Sequence, residues 1–316
     1  MTFDYGTCII RRSRLIMPAN VPRFVEKAFL RNADAIVLDL EDSVPDSEKI
    51  ASREKIQDWI PVVAKGGSDV LVRVNHTDEL LKSDLEGAIW QGVDGVMLPK
   101  VENAEQVLAV EQIISEIELR RGIPSGHVKI GVIIETAKGM LHIEEIARAS
   151  TRVDSLTLGA EDFSLDCGIE LTAATYQGML IPRMNVLLAA RAYGKIPMGL
   201  MGSIAGYTDV ESLSENASLA YQHGFLGTSC IHPDNVEILN QAFSPAKEDI
   251  VYARKVMDAF ESSLAKGRAS TTLEGKMIDI PHYEKAKRIL ERADKIEQLE
   301  KKKKRLREAA IGGLAK

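Results

Sequence analysis

ADAIVLDLEDSVP, residues 33–45, opens on a run that is aliphatic on both alternating faces and closes on two acids and a proline. A strand with one wet face alternates apolar and polar residues; one apolar on both faces belongs to a parallel sheet covered on both sides. KIGVII, residues 129–134, has the same character. Working outward from these two, eight runs of this kind can be marked: Arg14–Met17, Ala35–Leu40, Asp69–Asn75, Gly95–Lys100, Lys129–Thr136, Ser155–Asp162, Ile196–Gly202 and Gly227–Pro233. Stretches of helical periodicity separate them. Val21–Asn32 spaces Phe24, Val25, Ala28 and Phe29 for a helix. Asn103–Arg121 opens with Asn-x-x-Gln, like a capping box, and sets Val107, Val110, Ile114 and Ile117 on one stripe. Met140–Ser150 repeats the pattern, and Ser244-Pro245 suits the start of a helix running to about Leu264.

Eight β-then-α units with right-handed crossovers give an α/β fold, a (β/α)8 TIM barrel. The alternative is a doubly wound open sheet, which usually carries a glycine-rich phosphate turn after its first strand. Here that position reads MPANVP. The barrel is complete by about Phe243, so residues 1–243 are expected to form the catalytic domain and 244–316 a helical C-terminal extension. Within the extension, residues 266–282 read as a polar connector and Tyr283–Ala310 as a charged helix. The run Lys301-Lys302-Lys303-Lys304-Arg305 reads as a solvated or frayed tail in preference to a nucleic-acid or membrane site.

Aromatic residues are 5% of the 316, against 45% hydrophobic, so the core must be aliphatic. A net charge of −6 argues against a nucleic-acid partner, which requires a basic face. Cys8, Cys167 and Cys230 form no paired motif, and no segment has the length of a membrane span. The chain reads as cytoplasmic, with no membrane partner.

Chemistry in such barrels sits at the C-terminal ends of the strands. Here those ends read Leu40-Glu41-Asp42, Arg73-Val74-Asn75, Pro99-Lys100, Glu135-Thr136, Glu161-Asp162 and Ile231-His232-Pro233. A salt bridge explains any one of these residues about as well as catalysis does; a site explains the set better. Glu135 and Asp162 end adjacent strands, and two carboxylates completed by water and substrate oxygens suit octahedral Mg²⁺ or Mn²⁺. The scattered histidines show no zinc spacing, and His232 reads as fixing a turn. Arg73 carries the planar fork that grips a carboxylate, either the substrate's or that of Glu41 or Asp42. Lys100 is a further candidate contact for the substrate.

At these residues the sequence resembles the citrate lyase β-subunit family of the HpcH/HpaI aldolase superfamily, which includes malyl-, citramalyl- and citryl-CoA lyases. The matching stretches are RRSRLIMPAN (11–20), ADAIVLDLEDSVPDSEK (33–49) with Ser52-Arg53, VRVN (72–75), GVDGVMLPKVE (92–102), IIETAKGM (133–140), LTLGAEDFSLDCG (156–168), GFLGTSCIHPDNVEILNQAFSP (224–245) and EGKMIDIPH (274–282). LDLEDSVP, IETAKG and GAEDF are specific in combination. The resemblance implies a metal-dependent lyase or synthase acting on a β-hydroxyacyl thioester, with coenzyme A as part of the substrate and a 2-oxo acid as the other fragment. It implies Glu135 and Asp162 as metal ligands, Glu41 and Asp42 as acids bonded to the metal's waters, and Arg73 beside the substrate carboxylate and thioester oxygen. Arg12 and Ser13 would lie near the coenzyme A chain. Asp279 would be an acid delivered from a neighbouring subunit of a homo-oligomer, a trimer or hexamer, and would protonate the enolate carbon. The competing reading of Asp279 is a cap on the last helix.

Two departures stand out: Pro18-Ala19 where the family often has Pro-Gly, and PMGLMGSIAGYTD (197–209) without the acid that many members carry near Gly199. The second region shapes the acyl pocket in relatives and leaves the thioester open. A class II aldolase acting on a free 2-oxo acid is the alternative within the superfamily; a non-catalytic carrier-binding barrel is the alternative outside it.

Overall fold

The eight strands are β1 (Ser13–Pro18), β2 (Ala35–Asp39), β3 (Asp69–Arg73), β4 (Gly95–Leu98), β5 (Lys129–Ile134), β6 (Val153–Leu158), β7 (Ile196–Met198) and β8 (Thr228–Cys230). All neighbours are parallel, in the order β7-β6-β5-β4-β3-β2-β1-β8. The seam between β7 and β8 is closed by Leu226 N donating to Pro197 O (3.0 Å) and Gly199 N to Gly227 O (2.9 Å). The sheet is thus a (β/α)8 barrel. The computed structural model describes residues 9–172, 175 and 178–314, so Cys8 lies outside the described residues.

Two aliphatic layers explain the doubly apolar strands. Inside the barrel, Ala35, Val37, Leu71, Met97 and Ile133 cluster with Ile16. Outside it, Leu38, Val70, Val72, Val96 and Val132 pack under the helices, where Val107, Val110, Ile114 and Ile117 form the expected stripe. Each fully buried side chain of this size contributes roughly 1.5–3 kcal/mol. That helix, Ala104–Arg121, starts where Asn103 accepts from Gln106 N at 3.0 Å and stops at Gly122 with φ 65°. Gln106 Oε1 in turn accepts from Glu102 N, one residue before the cap.

Several elements differ from the sequence reading. Val21–Asn32 forms one α-turn, Pro22–Val25, and a 3-10 turn, Ala28–Leu30; Asn32, at φ 58°, turns the chain back toward β2. Met140–Ser150 resolves into Ala137–Leu141 and Ile143–Arg148, broken at His142, whose ring bonds Glu102 O. The helix expected from Ser244-Pro245 begins at Lys247 behind Ala246, without a side-chain cap. β6 stops at Leu158, and Glu161 and Asp162 sit in the first turn of the helix Ala160–Asp166. Among the described residues, no helix is long and apolar enough to cross a membrane.

The chain divides into two compact units, the first containing residues 11–243 and 303–314, the second residues 9–10 and 244–302. The second has a small core of its own: Ala253, Val256, Phe260, Ile278 and Ala286. Its connector is a hairpin of β9 (Thr271–Leu273) and β10 (Lys276–Ile278), turning at Glu274 and Gly275 with φ 50° and 77°. Two successive positive φ values are the turn that matches the twist of a two-stranded ribbon. The last helix runs Ile280–Leu314, and its lysine run is not simply a solvated tail. Lys303 is fully buried in the first unit, with Nζ 2.6 Å from Asp34 and 2.9 Å from Asn32 O. Lys301, Lys302 and Lys304 are exposed, as helical geometry requires when a single position of the run faces inward.

Candidate active site

Register assembles the centre of the rim. β2 and β3 pair Asp39 with Arg73, and both side chains follow the interior face marked by Ala35, Val37 and Leu71. Arg73 donates to Asp39 from Nε (2.6 Å) and Nη2 (2.7 Å), and its Nη1 lies 3.1 Å from Glu41 Oε2. The bidentate partner is therefore Asp39, not Glu41 or Asp42. The alternation 35-37-39 was the signal that could have identified it. Asp39 holds a charge despite burial, because the guanidinium keeps its carboxyl below the usual range.

The loops beyond β2 and β3 are pinned from outside. The buried ammonium of Lys49 donates to Glu41 O (2.9 Å), Leu40 O (3.2 Å) and Asn75 Oδ1 (2.7 Å). Asn75 Nδ2 donates to Asp84 (2.7 Å), which also pairs with Arg53. This chain of bonds fixes where Glu41 can point.

Glu135 follows β5 directly and is 5% exposed. Its Oε2 accepts from Lys100 N at 2.9 Å, and Lys100 takes a left-handed φ of 53°. The backbone at Gly159 passes so close that a Cβ there would lie 2.4 Å from Glu135 Oε1. Lys100 Nζ sits among acids, 3.4 Å from Glu41, 3.7 Å from Asp162 and 3.9 Å from Asp42. Arg73, Glu135 and Asp162 line one cavity at this end of the barrel.

The charge here is unbalanced. Asp39, Glu41, Asp42, Glu135 and Asp162 face two permanent cations, Arg73 and Lys100. Burial, followed by the neighbouring Glu41 and Asp162, pushes Glu135 up to about 8. Burial pushes Glu41 up to about 6 against the pull of Arg73, and its buried Oε2 has no hydrogen-bond partner. A divalent cation would relieve this surplus, so the residues fit the group. Among the described residues, no three His, Cys, Asp or Glu side chains are assembled for one ion. A site of two carboxylates suits Mg²⁺, which keeps the remaining positions for water and substrate oxygens.

Two expectations follow from this geometry. Metal binding at Glu135 must displace its proton, so Mg²⁺ affinity should rise by roughly tenfold per unit between about pH 6 and pH 8. Calorimetry in buffers of different ionisation enthalpy would count that proton; a flat affinity would show that Glu135 is already ionised. Arg73→Lys should lower kcat/KM by at least about tenfold, roughly 1.4 kcal/mol, because an ammonium cannot reproduce the fork on Asp39. Near-normal steady-state kinetics would contradict this.

Other candidates lie elsewhere. Arg12 and Ser13 are at the N-terminal end of β1, away from the rim. Arg12 is buried, gripping Asp34 from Nε (2.8 Å) and Nη2 (2.9 Å), and Ser13 Oγ bonds Asn240 (2.7 Å). Both side chains are thus engaged at the N-terminal end of β1, whereas the resemblance implies a contact with the coenzyme A chain. Asp279 lies in the second unit. Its carbonyl accepts from Tyr283 N (3.0 Å) and its carboxylate bonds His282, which holds it below the usual range. His232 stacks on Tyr207 with centroids 5.4 Å apart.

A (β/α)8 barrel with one buried and one half-exposed carboxylate beside an arginine–aspartate fork defines a metal-compatible lyase scaffold, and the chain belongs to the HpcH/HpaI aldolase/citrate lyase family, whose model matches residues 12–233. Among curated relatives, the citrate lyase subunit beta of Leuconostoc mesenteroides is 32% identical over 90% of this chain and 94% of its own. The L-malyl-CoA/beta-methylmalyl-CoA lyase of Cereibacter sphaeroides is 30% identical over 90% and 95%. Among solved structures, the CitE protein of Mycobacterium tuberculosis in complex with magnesium, acetoacetate and coenzyme A superposes with a TM-score of 0.72 at 30% identity, covering 92% of this chain and 99% of that one. The citrate lyase beta subunit of the same organism, complexed with oxaloacetate and magnesium, gives 0.61 at 29% identity, covering 76% and 99%.

Proposed function

We propose that this chain is a magnesium-dependent carbon–carbon lyase that cleaves, or forms, a β-hydroxyacyl-CoA such as citramalyl-, malyl- or citryl-CoA, yielding an acyl-CoA and a 2-oxo acid. The observation that carries this reading is the surplus of buried carboxylate around Glu135, directly beside the Arg73–Asp39 fork. The thioester follows from the family and from its malyl-CoA and citrate lyase members. Mg²⁺, held by Glu135 and Asp162, supplies Lewis acidity toward the substrate's oxygens when bound.

The chain's own residues do the rest. Arg73, already oriented by Asp39, directs donors at the thioester oxygen, where charge develops as the C–C bond breaks. Glu41, with a carboxyl near 6, is placed to take the substrate hydroxyl's proton. Lys100 holds Glu41, Asp42 and Asp162 in one array and offers a positive charge to the substrate. The enolate carbon then needs a proton, and Asp279 is the candidate acid once it has been protonated and released from the His282 bond that keeps it ionised. The reading places the enzyme in the cytoplasm, in keeping with free Cys167 and Cys230.

The test is a screen of acyl-CoA plus 2-oxo acid pairs with Mg²⁺, and of the corresponding hydroxyacyl-CoAs in the cleavage direction. Metal-dependent turnover of one pair supports the proposal. Turnover of free hydroxy-oxo acids alone would make it a free-acid aldolase, and no turnover of either kind would overturn an enzymatic role.

Asp279 supplies its proton across a subunit boundary of a homo-oligomer, a trimer or hexamer. Asp279→Asn subunits should be inactive alone but should recover part of the activity when mixed with inactive Glu135→Gln subunits. A mixture that stays inactive after demonstrated subunit exchange, or an active monomer, would refute crossing.

A further inference from the structure

β1 sends Arg14 and Ile16 toward the barrel interior. Ile16 joins the aliphatic cluster and lines the cavity. Arg14 lies two residues earlier on the same face, 1% exposed, where barrels are normally filled by branched aliphatic side chains. Its Nη2 donates to Thr157 Oγ1 at 2.7 Å, while its buried Nε has no hydrogen-bond partner. Among the described residues, no carboxylate lies within ion-pair distance of it; nearby Asp154 is taken by Arg11 at 2.6 Å. The guanidinium lies beside Gly131 on β5, where a Cβ would sit 3.7 Å from Arg14 Nη1, in ordinary contact, and 3.1 Å from Ser155 Oγ. Burial pulls the guanidinium down to about 10, so it still carries its charge at neutral pH.

Thr157 lines the same cavity as Glu135. A guanidinium has donors only, so Thr157 oxygen must accept from it, and the hydroxyl hydrogen is left to point elsewhere. Among the described residues, that hydrogen has no acceptor. The same cavity is lined by apolar Ile16, Met97, Ile133, Met198 and Phe225 and by the hydroxyl residues Thr228 and Ser229. Thr157 therefore offers that cavity a hydroxyl donor backed by a buried positive charge, beside apolar side chains. A buried cation costs stability that an aliphatic side chain would not, and a negative charge arriving at Thr157 from the cavity offsets part of that cost.

We infer that Arg14 is a positioning residue that sets substrate choice: through Thr157 it presents a donor and positive potential to the cavity, matched to a second carboxylate carried by the 2-oxo acid. This rests on the lyase reading above, and names which 2-oxo acids that site prefers. A monocarboxylic 2-oxo acid would leave the donor unmet.

The test uses the full chain with Mg²⁺ and acetyl-CoA, comparing kcat/KM for oxaloacetate and pyruvate in wild type, Arg14→Met and Thr157→Val. Wild type should favour oxaloacetate. Each variant should lower the oxaloacetate-to-pyruvate ratio by at least about tenfold, the scale of a lost hydrogen bond in a site built for one. Oxaloacetate binding to the Mg²⁺-loaded protein without acyl-CoA, read by calorimetry, should weaken by a similar factor. A purely structural Arg14 would lower both substrates together and leave the ratio alone; that result in folded variants, or a wild-type preference for pyruvate, overturns the inference. If Arg14→Met does not fold, the isosteric Thr157→Val decides. If no acyl-CoA pair is turned over yet oxaloacetate binding still falls in the variants, the reaction assignment fails and the Arg14–Thr157 assignment stands.

Discussion

Glu135→Gln should abolish turnover and stabilise the metal-free protein in the same substitution. Glutamine keeps an oxygen that can accept from Lys100 N, but it removes the negative charge a divalent ion requires. The loss should be at least about a thousandfold in kcat/KM, roughly 4 kcal/mol of transition-state stabilisation. The stability effect has the opposite sign. Glu135 is pushed up to about 8 in the folded chain, above its usual 4.5, so the fold favours the protonated form. Above the unfolded value, ionised Glu135 therefore works against folding, increasingly as pH rises toward 8. A neutral glutamine removes that penalty, and unfolding in chelator near pH 7 should be harder by on the order of 2 kcal/mol. Asp162→Asn should share the loss of activity. Full activity of both variants in metal-depleted buffer would refute the metal assignment. Equal stability of Glu135→Gln and wild type without metal would show that the carboxylate is better compensated than its surroundings indicate.

The second large effect lies at the opposite end of the barrel. Asp34 is fully buried between two cations, Arg12 (2.8 and 2.9 Å) and Lys303 (2.6 Å). Asp34→Ala removes the buried carboxylate that both cations pair with and should cost about 3–5 kcal/mol. For a barrel of this size that corresponds to a fall of roughly 10 °C or more in Tm. Lys303→Met, which removes one cation and leaves Arg12 with its partner, should cost much less. Burial opposes ionisation of Asp34, but Arg12 and then Lys303 more than reverse this and hold its carboxyl below the usual range. A depressed carboxylate stabilises the fold above its unfolded value, near 4, and loses that contribution as pH falls through its folded value. Acid unfolding of wild type should therefore contain a step below about pH 4 that Asp34→Asn lacks. If thermal unfolding of Asp34→Ala matched that of wild type, the triad would carry no stability.

Much of this could be seen before any tertiary structure. AIVLDL and KIGVII are apolar on both faces because each parallel strand is buried on both sides, and that property is written locally. The acids following those strands could be placed on one rim because every parallel strand ends on the same side. Glu41, Arg73, Lys100 and Glu135 meet there, and Asp162 reaches Lys100 from a helix rather than from the strand end assigned to it.

What could not be read depends on which distant residues face each other. Asp39 becomes the fork's partner because register sets it opposite Arg73. Arg12, whose motif pointed to substrate, is drawn to Asp34 at the closed end. One lysine of four consecutive ones is buried because a helix turns only that position inward. Arg14 occupies an interior where an aliphatic side chain is the rule, with Thr157 as its partner from across the barrel. Periodicity reports only that a face is buried. The partner on that face, and the desolvation that moves Glu135 to about 8, are set by strand register and barrel closure, which arise from packing among residues far apart in the chain.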